Sequence, residues 1–354
     1  QLSIEENAYS QLSRELKGQR GDYQKCLEEF VENVNQIYDS RDIPAYKSQR
    51  IPVVRLLELL QEASHSHSTD DSYLTLILEA LSRVMIFSGA YGAASETADN
   101  YVSSVLDILR KKDKLSEKCA AAAITALRDM VFRRFCLNQS KYDSYEEAFC
   151  TFFFKSDGLK TIAEFLNWPK DKSSTACDAA CAFFFTLLND RSDSLTAEEV
   201  STAEAVVAPH ISFISKRTRE KNSEPALKLV KAFFLYCSCD ELHVHQTTLL
   251  KNGVFLFHLH RALCTSAVAE ASKDVVMATV AGSGEGLRTM TRIFPMPLVN
   301  ILDAAKTVTR LSGMSYKQPM VDRDVSLLEN MAVCSVFAAL RANWEGFWRG
   351  LDCE

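Results

Sequence analysis

Apolar side chains recur at steps of three and four along almost the whole chain, and this period restricts it to stacked helices. From Tyr23 to Tyr38, Leu27, Phe30, Val31, Val34 and Ile37 fall on one stripe. Pro52 stands where a helix can begin, and Val53, Leu56, Leu57 and Leu60 follow as its buried face. The same spacing predicts helices near Tyr73–Phe87, Ala98–Leu109, Ser116–Phe135, Tyr145–Phe154, Gly158–Leu166, Thr175–Asn189, Ala197–Ser215 and Pro225–Cys237. Further helices are expected over Gln246–Cys264, Ser272–Val280, Gly286–Phe294, Pro297–Leu311 and Asp324–Trp348. Several starts carry a cap or an early proline: Ser116 three residues before Cys119, Thr196 ahead of Glu198 and Glu199, and Glu224-Pro225. Sheets need many turn residues, yet only 12 Gly and 8 Pro are spread over 354 residues. No strand alternation competes, so the expected class is all-α.

Helices of this length joined by short polar loops suit an antiparallel array. Each helical pair buries its apolar face only by stacking on its neighbours. The runs Phe152–Phe154, Phe183–Phe185 and Phe233–Phe234 are too broad for one narrow stripe and predict helices contacted on two or three sides. Two segments carry a more specific texture, Ser156-Asp-Gly-Leu-Lys-Thr-Ile-Ala-Glu-Phe-Leu166 and Lys251-Asn-Gly-Val-Phe-Leu-Phe-His-Leu-His-Arg-Ala-Leu263. In each a glycine precedes a helix, where a tight inter-helix turn would use it. The two glycines lie 95 positions apart, about two repeats of ~40–47 residues. Both segments resemble the third helix of armadillo repeats, and the resemblance implies an armadillo/HEAT-like α-solenoid. Texture divides the chain into an N-terminal helical region, 1–140, and armadillo-like repeats, 141–354, continuous as one elongated body.

Upstream, Leu74 to Gly92 and Cys119-Ala-Ala-Ala-Ala-Ile-Thr-Ala-Leu-Arg-Asp-Met-Val-Phe-Arg-Arg-Phe135 resemble the dimerisation and cyclophilin-binding region of the large Arf exchange factors. That family's Asn-Tyr-Asp-Cys box does not follow. Ordinary helical repeats also generate Ala-rich helices ending in Phe and Arg.

A net charge of −6 offers no general attraction to nucleic acid or acidic membranes. The 11 cysteines are scattered, mostly inside apolar stretches such as those of Cys119, Cys177, Cys181, Cys264 and Cys334, and form no disulfide framework. A reducing compartment, the cytoplasm, is therefore expected. No run of ~18 uncharged apolar residues is present to span a bilayer. Membrane recruitment would have to be peripheral, through a partner.

The densest set of ligand-type side chains is Cys237, Cys239, His243 and His245, followed by His258 and His260. Four of these would suffice for tetrahedral zinc. Their spacing departs from Cys-x-x-Cys and from helical His pairs at i, i+4, since His258 and His260 point roughly 200° apart on a helix. The competing account is a loop carrying Cys239 to His245 and a helix whose histidines fall on different faces. Gly282-Ser-Gly284-Glu-Gly286 lacks the spacing of a nucleotide loop and reads as an inter-helix turn. The adjacent carboxylates Glu28/Glu29, Glu146/Glu147 and Glu198/Glu199 read as solvated faces rather than acid–base pairs. No nucleophile elbow is present. Lys216, Arg217 and Arg219 form the basic cluster best suited to phosphate or an acidic peptide, whereas Arg110–Lys114 and Arg133-Arg134 read as helix ends. Trp344, Phe347 and Trp348 either cap the last repeat or anchor a partner.

The expectation is a non-catalytic scaffold, without cofactor, that holds a protein partner along a helical surface. The alternatives are a zinc-dependent protein or enzyme centred on Cys237–His260 and a structural subunit of a large complex such as one in membrane traffic.

Overall fold

A computed structural model of the chain describes residues 23–38, 53–65, 71–85, 97–132, 144–168, 174–189, 195–218, 224–236 and 242–251, with His258 and Val275. Among the described residues there is no strand. The chain divides into two compact units, Gln1–His210 and Ile211–Glu354. That division follows packing, whereas the one at 140/141 follows sequence texture.

The first unit contains α1 (Tyr23–Tyr38), α2 (Val53–His65), α3 (Asp71–Met85), α4 (Ala98–Arg110), α5 (Glu117–Val131), α6 (Ser144–Lys155), α7 (Gly158–Ala163), α8 (Thr175–Asn189) and α9 (Ala197–Val207). Short 3-10 turns occupy Lys112–Lys114, Glu164–Asn167 and Ala208–His210. The helices sort into two layers. In one, α3 packs on α5 and α5 on α8; in the other, α2 packs on α4 and α4 on α6. Contacts of α2 with α3, α4 with α5 and α5 with α6 close the layers on each other.

Polar contacts set the direction within each layer. The Ser116 backbone N–H, at the start of α5, donates to the Asp71 carboxylate at the start of α3 over 2.5 Å. Near the far ends, Ser82 Oγ donates to the Asp129 carboxylate. Start meets start and end meets end, so α3 and α5 run parallel. In the other layer the Tyr101 ring meets Phe149 edge-on at 6.4 Å, and Arg110 donates to the Ser156 carbonyl at 2.9 Å. Consequently α4 and α6 are parallel too.

Local chemistry fixes the helix starts as expected. Ser116 Oγ accepts from Cys119 N at 3.2 Å, and Thr196 and Glu199 form a reciprocal capping box. Such caps contribute about 1 kcal/mol each. One expected helix is broken: the stretch read as Ala197–Ser215 ends at Val207, turns through Ala208–His210, and resumes as α10 (Ile211–Arg217). Pro209 lacks the N–H a continuous helix requires, and its ring would meet the carbonyl four residues back.

The turn from α6 to α7 also differs from expectation. Its left-handed residue is Asp157, with φ 54°, and not the glycine. Gly158 is needed for space. A Cβ there would stand 2.6 Å from Cδ2 and 2.8 Å from Cζ of Phe153, with Cε2 nearer still.

An aromatic cluster forms the core where α5, α6 and α8 meet. Phe183 lies 5.4 Å from Phe132, 5.3 Å from Phe153 and 5.7 Å from Phe184, and all four are buried. α8 packs against α5, α9 and the Glu164–Asn167 turn, the several-sided burial its consecutive phenylalanines predict. Phe152, by contrast, is 38% exposed. Cys26, Cys119, Cys150, Cys177 and Cys181 are buried. Burial pushes Cys119 up to about 12, so it packs as a small apolar side chain.

Tyr101 is fully buried, and among the described residues its hydroxyl has no hydrogen-bond partner. Burial alone pushes its phenol well above the usual tyrosine range. Removing a satisfied hydroxyl costs about 0.5–1.5 kcal/mol, but an unpaired buried one opposes folding. Tyr101→Phe is therefore expected to leave stability unchanged or raise it by up to about 1 kcal/mol in denaturant titrations. A loss above that size would mean the hydroxyl is paired after all.

The second unit contains α10, α11 (Glu224–Tyr236) and α12 (Leu242–Lys251). α10 packs on both others. Among the described residues no helix is long and apolar enough to cross a membrane.

Candidate functional site

The expected zinc ligands are only partly within the described residues. Cys237, Cys239 and His260 lie outside them, and His243 is placed in α12 by its backbone alone. His245, also in α12, turns its ring edge-on to Phe233 at 5.7 Å and 87°. His258 is fully buried, with Nε2 2.6 Å from Thr218 Oγ1. The Thr218 hydroxyl also donates to the Ser215 carbonyl at 2.5 Å, and the donor and acceptor roles between Thr218 Oγ1 and His258 Nε2 are set by the imidazole tautomer. Among the described residues no three His, Cys, Asp or Glu side chains are grouped to hold a metal ion.

The basic segment is described in part. Lys216 is exposed, Arg217 is only 4% exposed, and Arg219 lies outside the described residues. Arg217 shares α10 with buried Ile211, Ile214 and Ser215, and α11 and α12 both pack on that helix. Trp344, Phe347 and Trp348 lie outside the described residues, as do Gly282–Gly286 and Arg133-Arg134. Of the adjacent carboxylates, Glu28, Glu29, Glu147 and Glu198 are exposed and Glu199 caps α9. Glu146 departs from the solvated-face reading, being 0% exposed in the first turn of α6.

The Arg110–Lys114 cluster acts as a clasp between helices. Arg110 pairs with Asp107 at 2.7 Å while donating to Ser156 at the end of α6. Lys112 Nζ donates to the Glu164 carbonyl at 3.1 Å, lies 3.6 Å from the Glu164 carboxylate, and sits 5.4 Å over the Phe165 ring. These cations thus meet the carbonyl ends of neighbouring turns, where helix dipoles favour them.

His210 lies within the field of the same lysine. Burial first, and the Lys112 charge second, hold its imidazole below the usual range. The folded chain therefore binds this proton less readily than the unfolded chain does. Its contribution to stability is present above the ordinary histidine value of about 6.5 and is lost as pH falls through and below it. Denaturant titrations at pH 7.5 and 5.5 should show a smaller acid loss in His210→Gln than in the parent chain. Equal losses would remove His210 from the cause.

Among the described residues, a half-exposed stripe runs along each helix of the α3–α5–α8 layer. Leu76, Glu79 and Arg83 mark it on α3, Ala121, Thr125 and Arg128 on α5, and Ala179, Ala182 and Thr186 on α8. The first two stripes adjoin, because Lys118 Nζ on α5 reaches to 3.9 Å from Glu79 Oε1 on α3. Ala121 and Thr125 on α5 and Ala179, Ala182 and Thr186 on α8 are small, and Lys118 and Arg128 project beside the α5 pair. Sequence reasoning missed it because the helical period shows which positions are wet without showing which wet positions adjoin.

Comparison of the sequence with known protein families found no match, and neither did comparison with curated proteins.

Proposed function

We propose that the chain is a non-catalytic scaffold of the armadillo/HEAT-like solenoid type, holding a protein partner along the surface of the α3–α5–α8 layer. The observation that carries this reading is the two-layered stack in which α3 runs parallel to α5 and α4 parallel to α6. A helical pair repeated by translation produces such parallel neighbours, and repeat proteins use the extended face so formed for binding. The small side chains on the stripes of α5 and α8 suit a helix or extended segment laid across them. The net charge of −6 favours a protein over nucleic acid as partner, and the scattered, buried cysteines suit a reducing, cytoplasmic setting.

The test is affinity capture from cell extract, with the parent chain beside a Thr125→Arg/Ala179→Arg variant. Both positions are half-exposed and helical, so circular dichroism and the melting temperature should hold. The expected result is a protein retained by the parent and depleted at least tenfold by the variant. Equal capture by both would overturn the assignment of this surface. Retention of no protein by the parent would overturn the scaffold reading itself.

A further inference from the structure

We draw no further inference here: the strongest candidate, the stripe of small half-exposed side chains Ala121, Thr125, Ala179 and Ala182 along α5 and α8, belongs to the surface already proposed for the partner, and nothing in the structure shows the chemistry of what covers it.

Discussion

Replacing Phe183 by alanine should lower the melting temperature of the first unit on the order of 10 °C. Truncating a buried phenylalanine costs about 3–5 kcal/mol, because the lost transfer energy is joined by the cavity left behind. Each kcal/mol moves the midpoint of a domain this size by roughly 2–4 °C. The cavity at Phe183 would be hard to refill. Its neighbours Phe132, Phe153 and Phe184 are themselves buried, and they belong to or flank three different helices. Collapse of one toward the gap would pull it from the others. The measurement is thermal unfolding of the full chain followed by circular dichroism, with Phe152→Ala as control. Phe152 is 38% exposed, so its truncation should shift the midpoint far less. Similar shifts in the two variants would show that the aromatic cluster is not the core of the unit.

The second large effect has an unusual sign. Alanine normally improves a helical glycine by up to about 1 kcal/mol. At Gly158 the added methyl would overlap three carbons of the Phe153 ring. That ring is buried, meets Phe154 edge-on and lies tilted against Phe183, so it cannot swing aside as a flexible side chain would. Overpacking of this kind costs about 1–3 kcal/mol. Steric cost exceeds helix propensity, and Gly158→Ala should destabilise the chain by about 1–2 kcal/mol. Phe153→Leu, itself costly, should make the added methyl at Gly158 nearly harmless in the double variant. A raised midpoint in Gly158→Ala would show that the backbone yields at this turn.

Helix positions were legible because each depends on residues close in sequence. α1 and α8 run from Tyr23 to Tyr38 and from Thr175 to Asn189, the ends their apolar stripes imply. Ser116 and Thr196 cap their helices because a hydroxyl three residues before an N–H can reach it whatever the tertiary fold. Pro209 was equally local, yet the apolar period on either side masked its effect.

Contacts between distant helices were not legible. Nothing around Gly158 announces Phe153 as the reason for it, since the ring reaches it only after the chain has turned. Arg217 looks like one member of a surface cluster until α11 and α12 pack on its helix. The carboxylate of Asp129, 2% exposed, finds Ser82 47 residues away. The stripes of α3, α5 and α8 share this character. Each can be drawn on a helical wheel, but only the Lys118–Glu79 approach shows that two of them touch.

The two polar contacts between α3 and α5 have a mechanical consequence. Asp71 and Ser82 stand eleven residues apart on α3, about 16 Å along its axis at 1.5 Å per residue. Apolar side chains alone would tolerate a slide to the next groove at modest cost, whereas both fastenings fail together under a displacement of one turn, about 5.4 Å. A pull along the two axes therefore loads both fastenings in shear at once, and neither can open first as the teeth of a zip would.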